Sequence, residues 1–296
     1  MSKTAFIFPG QGGQFVGQGQ KWAQDYPSVA DLFKSVDRIS QKPISKLCFE
    51  GPVEELSKTE NLQLSVLAVG LSAARIFKLK GHEPNFAAGH SLGEYGALVL
   101  AEVVTEEKAI ELVAERSELM ARASDGSMCA VLGLDPETVE GVCELARSEG
   151  QVVAANYNSP QQTVISGESR AVAAAVRFVT LKGGKAIPLP VTGAFHSPLM
   201  AKPAELFGKT LDQTPFKKPL FPIVPNATGQ ITDDPQEIKD NLKKQMTSPV
   251  LWTLTVNTLN QAGVDAFLEC WPKPYVGPMI RKTLGPSVKS QISAAV

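Results

Sequence analysis

The feature that most constrains this chain is a serine between two glycines, Gly89-His90-Ser91-Leu92-Gly93. A short segment of small apolar residues precedes it, and good helix formers follow over residues 92–102. Strand, tight turn, serine and helix in this order indicate a nucleophile elbow, where a strained backbone requires very small neighbours two residues away. The helix would direct free N–H groups and its positive dipole end at the reacting oxygen. We therefore predict a nucleophilic Ser91; the alternative is a structural turn.

A second glycine-rich loop follows the first predicted strand, residues 4–8, and reads Pro9-Gly10-Gln11-Gly12-Gly13-Gln14. Glycines directly after a strand indicate a backbone that closely approaches a phosphate, an oxyanion or a neighbouring loop. No Gly-Lys-Ser/Thr follows, so this is not a Walker-type phosphate loop. A plain turn is the alternative, but the two glutamines favour a polar lining of a site.

An arginine lies on the apolar face of the helix predicted over residues 105–123, which Thr105 can cap. Arg116 falls within the stripe that faces the core. The other members of that stripe are Ala109, Leu112, Val113 and Met120. A buried charge without a partner is very costly, so this guanidinium needs an anion. Two alternatives stay open: a structural salt bridge to a protein carboxylate, or a fork for a substrate carboxylate.

Residues 126–191 show their own succession of elements, β-α-β-β-α-β, which is the ferredoxin-like split unit. We interpret them as a subdomain inserted into an α/β hydrolase-like core with a mostly parallel sheet, formed by residues 1–125 and 192–296. Gly126 and residues 191–193 would be the hinges, and the seams would form a cleft suited to a ligand. The last strand is predicted at residues 265–269, before an irregular loop and a terminal helix.

A histidine follows this insert in the loop Gly193-Ala194-Phe195-His196-Ser197-Pro198. It is the best placed of three histidines to be the base that a serine nucleophile needs. No carboxylate stands in an obvious loop position shortly before it, so we expect a backbone carbonyl or a glutamine to orient the ring. Serine with histidine predicts acyl transfer through a covalent ester. The buried Arg116 favours an acidic acyl group over general ester hydrolysis.

Composition excludes several classes of function. The net charge is −1, and no basic excess points to nucleic acid or to an anionic membrane. No signal peptide or long uninterrupted apolar run is apparent, which predicts a cytoplasmic protein without a membrane partner. Neither the three histidines nor the four cysteines have metal-ligand spacing, so we expect no metal, no permanently bound cofactor, and reduced thiols that fill the core.

Four motifs, taken together, resemble those of the malonyl-CoA:acyl-carrier-protein transacylase family and of the related acyltransferase domains of polyketide synthases. They are Gly-Gln-Gly-x-Gln after the first strand, Gly-His-Ser-Leu-Gly-Glu, Glu115-Arg116-Ser117 and Ala194-Phe195-His196. The resemblance covers residues 5 to about 282. It implies transfer of a malonyl group from malonyl-CoA, a coenzyme A thioester substrate, to the phosphopantetheine thiol of acyl carrier protein in fatty acid synthesis. Alternatives are a trans-acting acyltransferase of a polyketide pathway, a serine hydrolase and a non-catalytic interaction module.

The resemblance also implies roles for the residues around the serine. Ser91 would become malonylated, and His196 would act as the general base. The backbone N–H groups of Gln11 and Leu92 would form the oxyanion hole. The main-chain carbonyl of Gln245 would hold the histidine ring.

Substrate choice is implied by other matching positions. Arg116 would clasp the malonyl carboxylate, since relatives that transfer acetyl groups usually lack this arginine. Phe195 and Leu92 match the malonyl-selecting pattern, and methylmalonyl-selecting relatives carry a smaller serine at the phenylalanine position. Asn156 or Asn158 matches an asparagine near the cleft.

The chain departs from the family after its predicted last strand. The usual Gly-Pro-Gly is replaced in Glu269-Cys270-Trp271-Pro272-Lys273-Pro274-Tyr275-Val276. Bulky residues therefore stand where glycines are expected beside the cleft. This predicts a differently shaped pocket near the pantetheine or carrier arm.

Overall fold

A computed structural model of the chain describes residues 2–123, 125–191, 193–285 and 291–295, with residues 291–294 as backbone only. The described residues contain nine strands. They are β1 (Lys3–Phe8), β2 (Phe86–Gly89), β3 (Ser127–Leu132), β4 (Val152–Ser159), β5 (Gln162–Gly167), β6 (Lys185–Pro188), β7 (Ile223–Val224), β8 (Val264–Glu269) and β9 (Gln291–Ala294).

Helices surround these strands. They are α1 (Gln20–Asp25), α2 (Pro27–Ser40), α3 (Ile44–Glu50), α4 (Val53–Leu56), α5 (Thr59–Leu79), α6 (Gly93–Leu100), α7 (Glu106–Arg122), α8 (Pro136–Ala146), α9 (Ser169–Leu181), α10 (Ala201–Gln213), α11 (Pro235–Gln245), α12 (Trp252–Gln261) and α13 (Gly277–Leu284). Short 3₁₀ turns follow α8 and precede α10.

The larger sheet is parallel, with strand order β7-β2-β1-β8-β9. Its central strands are apolar and buried, as expected where helices cover both faces. Phe8 pairs with Gly89 at the carboxyl ends of β1 and β2. Because parallel strands end at the same edge, the glycine loop after β1 and the serine turn after β2 lie side by side.

The second sheet is antiparallel, with strand order β4-β5-β3-β6. The order of elements predicted for residues 126–191 is observed as β3-α8-β4-β5-α9-β6. Alternation along β3 gives the sheet two apolar faces, because Cys129 and Val131 pack with α8 and α9. Met128 and Ala130 instead join the core that surrounds the larger sheet. The sheet therefore covers the edge of the main body.

The seam between the sheets is tight at Gly126, where φ is +148° and an added Cβ would lie 2.6 Å from the Cβ of Ala194. Thr192, the middle residue of the other predicted hinge, lies outside the described residues.

The strand predicted at residues 265–269 is present within β8, but the prediction that it is the last strand was wrong. After α13 the chain adds β9, which pairs in parallel with β8 at the edge of the larger sheet. A four-residue strand is too short to show periodicity, so only its pairing identifies it.

Helix α5 is long and apolar enough to cross a membrane by length and composition alone, and 83% of its most apolar window is buried inside the protein. It packs against α6 and α7.

Candidate active site

The turn after β2 has the geometry that its glycines predict. Ser91 has φ +51°, a conformation that side-chain-bearing residues adopt infrequently. A Cβ on Gly89 would lie 1.9 Å from the carbonyl carbon of Gly93. One on Gly93 would lie 2.2 Å from the carbonyl oxygen of Phe8. No other residue fits at either position, so the turn holds the serine at the start of α6.

Ser91 and His196 meet directly, although 105 positions separate them. The serine Oγ lies 2.7 Å from the histidine Nε2. On the other side of the ring, Nδ1 lies 2.9 Å from the main-chain oxygen of Gln245. A carbonyl only accepts, so Nδ1 carries the proton and donates, which leaves the Nε2 lone pair for the serine hydroxyl. The neutral orienting group expected from the sequence is thus a backbone carbonyl.

Burial keeps the ring of His196 in its neutral form. His196 is 4% exposed. Removal from water, reinforced by the positive charge of Arg116, lowers the pKa of His196 to about 3, although the hydrogen bond to Gln245 acts in the opposite direction. A lowered pKa for a basic group means that the neutral form persists at neutral pH. The imidazole is therefore free to accept the serine proton.

We expect the ring of His196 to remain neutral well below the usual titration range of histidine. In a proton NMR titration, its C2–H resonance, assigned by comparison with His196→Gln, should not move between pH 7 and pH 5. A shift with a midpoint near 6.5, the value of a free histidine, would contradict the effect of burial.

Arg116 lies behind the serine, fully buried. Its Nη1 donates to the side-chain oxygen of Gln63 at 2.6 Å, and its Nη2 donates to that of Gln245 at 2.9 Å. The same Nη2 is 3.4 Å from the Oγ of Ser91. Among the described residues, no carboxylate forms a salt bridge with this guanidinium, and its Nε has no hydrogen-bond partner. The direct structural salt bridge, one of the two alternatives, is therefore not formed.

A buried carboxylate, Glu94, completes this layer and was not predicted from the sequence. Its Oε2 accepts from the side-chain amide of Gln245 at 2.7 Å and from the backbone N–H of Asn226 at 3.2 Å. Burial raises the pKa of Glu94 to about 7, although these hydrogen bonds and the charge of Arg116 act in the opposite direction. Gln245 thus links the arginine to this carboxylate without direct contact between the two charges.

Asn226 is a second residue that sequence reasoning missed. Its Nδ2 donates to the carbonyl of Gly89 at 2.5 Å, and its Oδ1 accepts from the backbone N–H of Ser91 at 2.6 Å. The side chain therefore bridges the two sides of the strained turn. A signal was available, because Asn226 follows β7, and polar residues at the carboxyl ends of parallel strands gather at one edge.

The glycine loop after β1 approaches two neighbouring loops. A Cβ on Gly10 would lie 2.8 Å from the carbonyl oxygen of His90, and one on Gly12 would lie 2.1 Å from the hydroxyl of Tyr275. The backbone N–H groups of Gln11 and Leu92 donate to no acceptor within the part of the chain that the structure describes. Two free amide donors thus flank the serine turn.

A cavity of about 140 Å³ opens between the serine turn and the second sheet. Of the residues singled out from the sequence, it brings together Gln11, Ser91, Asn156, Asn158, Phe195 and His196. The remaining ones, Leu92, Arg116 and Gln245, do not line it and lie behind the serine. The Oδ1 of Asn158 also accepts from the Nε2 of His90 at 2.8 Å, so Asn158 supports the serine turn as well as lining the cavity.

The described residues of this region show no cluster typical of a metal site. In the described ranges, no group of three or more histidine, cysteine, aspartate or glutamate side chains could hold a metal ion. The four cysteines are unpaired and buried, as predicted for thiols that fill the core.

The chain is similar in sequence to known proteins. The family profile of the acyl transferase domain matches residues 5–295. A malonyl CoA-acyl carrier protein transacylase of Bacillus subtilis (strain 168) is 38% identical over 287 residues, which is 95% of this chain and 90% of the relative.

Solved structures are similar over nearly the whole chain. An acyl-carrier-protein S-malonyltransferase from Burkholderia pseudomallei superposes with a TM-score of 0.94 at 34% identity, covering 99% of this chain and 96% of that one. A malonyl-transacylase in complex with its type II polyketide-synthase acyl-carrier protein gives 0.93 at 35% identity, covering 99% and 95%.

Proposed function

The chain belongs to the acyl transferase domain family, and from that membership we propose the reaction that it catalyses. It transfers a malonyl group from malonyl-CoA to the phosphopantetheine thiol of acyl carrier protein, supplying extender units for fatty acid synthesis. The observation that carries the mechanism is the 2.7 Å contact between the Oγ of Ser91 and the Nε2 of His196. A serine hydroxyl paired with a neutral imidazole is equipped for covalent acyl transfer.

In the first half-reaction, Ser91 attacks the thioester carbonyl of malonyl-CoA while His196 accepts the hydroxyl proton. The carbonyl oxygen becomes an oxyanion, and the free N–H groups of Gln11 and Leu92 are placed to donate to it. Collapse of the tetrahedral intermediate breaks the carbon–sulfur bond. His196 returns its proton to the departing sulfur, which leaves as coenzyme A.

The second half-reaction reverses the roles of the two thiols. The thiol of the carrier's phosphopantetheine gives its proton to His196 and attacks the malonyl ester on Ser91. The same two amides receive the oxyanion. The serine oxygen then recovers the proton, and the malonyl thioester remains on the carrier.

Arg116 is the group that would recognise malonate. In a malonyl ester, the free carboxylate lies one methylene beyond the carbonyl carbon that Ser91 attacks. The Nη2 of Arg116 is 3.4 Å from the serine Oγ, and among the described residues the guanidinium has no hydrogen bond to a protein carboxylate. A planar, permanently charged guanidinium suits a carboxylate. Its two Nη atoms donate to Gln63 and Gln245 in this structure, so a malonyl carboxylate would replace one of these side-chain oxygens as the acceptor.

Cavity shape would complete the selection. Phe195 lines the wall beside His196 and is 4% exposed. We propose that its ring limits substituents on the acyl carbon next to the thioester, which favours malonyl over methylmalonyl groups. Asn156, which is 5% exposed and also lines the cavity, would contact the bound thioester.

The finer description of the fold is also a proposal. We infer a hydrolase-like core from residues 1–125 and 192–296, with residues 126–191 as a ferredoxin-like insert. The element order β3-α8-β4-β5-α9-β6 and the strand order β4-β5-β3-β6 support this inference. We place the enzyme in the cytoplasm, where acyl carrier protein and malonyl-CoA meet; fractionation of cells that produce it would test this placement.

The reaction is tested by intact-protein mass spectrometry after brief mixing with malonyl-CoA. The protein should gain one malonyl group, peptide mapping should place that group on Ser91, and added acyl carrier protein should remove it. Decay of the adduct at the same rate without a carrier would favour a serine hydrolase. No adduct with any acyl-CoA would favour a non-catalytic module.

The identity of the carrier is a second question for the same experiment. The similarity to a transacylase solved with a polyketide-synthase carrier keeps a trans-acting role in a polyketide pathway as the second candidate. Discharge of the malonyl adduct by a fatty-acid carrier at least tenfold faster than by a polyketide carrier would support primary fatty acid synthesis. The opposite order would support the second candidate.

A further inference from the structure

The bulky segment after β8 lies against the glycine loop after β1. We call residues 271–275 the brace. Strands β1 and β8 are parallel neighbours, since Ile7 pairs with Glu269. Their following segments therefore emerge at the same edge of the sheet, beside Ser91. The brace thus lies next to the loop that carries Gln11.

A buried carboxylate fixes the backbone of the brace where it enters α13. Glu269 is 1% exposed. Its Oε1 accepts from the backbone N–H groups of Tyr275 at 2.7 Å and Val276 at 2.8 Å, and its Oε2 accepts from that of Gly277 at 2.9 Å. Three charge-assisted hydrogen bonds to one buried side chain make a rigid anchor. Tyr275 is consequently held in place from its own backbone.

Three side chains of the brace reach the glycine loop or its continuation. The hydroxyl of Tyr275 donates to the carbonyl of Gln11 at 3.0 Å, and the indole N–H of Trp271 donates to that of Gly13 at 3.2 Å. The ammonium of Lys273 lies 4.1 Å from the ring centre of Phe15. The large side chains of the brace therefore contact and support the glycine loop after β1 and the residue that continues it.

The hydrogen bond from Tyr275 to the carbonyl of Gln11 affects the N–H of the same residue, which is the proposed oxyanion donor. The peptide planes on either side of Gln11 share its Cα, so holding its carbonyl also restricts the orientation of its N–H. Gly10 and Gly12 flank this residue, and glycines alone leave a backbone free to turn. Gly12 has φ +118°, and the hydroxyl of Tyr275 occupies the space that its Cβ would need. Tyr275 thus supplies the restriction that the glycines lack.

We propose that Tyr275 is a positioning residue for the oxyanion hole: its hydroxyl holds the carbonyl of Gln11 and thereby aims the Gln11 N–H at the reacting carbonyl. This inference rests on the proposed acyl transfer. An oxyanion donor acts through its preorganised direction, so a loosened donor weakens both half-reactions without weakening substrate binding. Tyr275 does not itself touch the reacting atoms.

Tyr275→Phe tests the proposal because it removes the hydroxyl and keeps the ring that lines the cavity. The rate of Ser91 malonylation is followed in a single turnover at several malonyl-CoA concentrations, and discharge to the carrier is followed separately. Loss of a whole oxyanion donor costs roughly 10²- to 10³-fold, so loosening one should lower both limiting rate constants about 10-fold. The half-saturating malonyl-CoA concentration should stay within about twofold of the wild-type value, because the cavity wall is unchanged.

Tyr157→Phe is the matched control. The hydroxyl of Tyr157 also makes one hydrogen bond, to Glu140 at 2.6 Å, but Tyr157 does not line the cavity. It should acylate at the wild-type rate.

Two results would overturn the proposal. The first is a limiting rate constant in Tyr275→Phe equal to that of Tyr157→Phe. The second is a loss confined to the half-saturating concentration, which would make Tyr275 a part of the cavity wall only. Absence of acylation in the wild type is a different result, because it would overturn the proposed function and this inference with it.

Discussion

His196→Ala is expected to slow malonylation of Ser91 by roughly 10⁶-fold, the order seen when a serine enzyme loses its histidine. No other imidazole can take over, because His90 is turned toward Asn158 and His82 lies exposed beside Phe77. The free amides of Gln11 and Leu92 remain, so a residual reaction should persist. Intact-protein mass measured over seconds to days after addition of malonyl-CoA gives the rate.

His82→Ala is the control for this experiment, since it makes the same substitution at an exposed histidine and should acylate like the wild type. Thermal melting of both variants separates loss of the base from loss of the fold. A decrease smaller than about 10-fold in a folded His196→Ala protein would show that another group accepts the serine proton.

Arg116→Ala is expected to lower kcat/KM for malonyl transfer by about 10²-fold or more and to shift the preference toward acetyl groups. Truncating one partner of a buried, hydrogen-bonded charge pair costs about 2–5 kcal/mol, and the other partner in our proposal is the substrate carboxylate. An acetyl group has no carboxylate, so its transfer loses none of this interaction. Competition between malonyl-CoA and acetyl-CoA, read as the ratio of the two adducts on Ser91, measures the shift.

Arg122→Ala is the matched control and should keep the wild-type ratio. Arg122 is an exposed arginine six residues later on α7, where it pairs with Glu118. Arg116→Ala also leaves the side-chain oxygens of Gln63 and Gln245 without their donor, so we expect some loss of stability as well. The ratio of adducts is insensitive to that loss, because both substrates meet the same folded fraction. An unchanged ratio would rule out carboxylate recognition by Arg116. That is the result expected of a general serine hydrolase, whose activity would not depend on this arginine.

Local features of the site could be predicted from the sequence because local rules determine them. Two glycines around Ser91 require the strained turn, whatever the rest of the chain does. Periodicity alone places Arg116 on the inward face of α7. The polar loop between glycine and proline that carries His196 is also a local pattern. The order of elements in residues 126–191 follows from alternation and capping, which act over a few residues.

The partners of these residues could not be predicted in the same way. Three residues join the site through contacts with residues that are 53 to 151 positions away: Asn226, Glu94 and Gln63. Sequence periodicity does not predict contacts over such distances. The absence of a suitable carboxylate before His196 indicated a neutral orienting group. Only the fold, or a resemblance to relatives, points to the carbonyl of Gln245. The brace likewise shows its bulk in the sequence but not what it touches.

The large sequence separation between these contacting residues affects when the site can form during synthesis of the chain. The turn at Ser91 depends on Asn226, 135 positions later, and the base depends on the carbonyl at residue 245. During synthesis the serine therefore leaves the ribosome long before its proton acceptor can be held in place. A growing chain shorter than 245 residues lacks the carbonyl that orients His196, so it cannot form the complete arrangement of Ser91, His196 and this carbonyl. We therefore expect full reactivity toward thioesters to arise only once the chain is nearly finished.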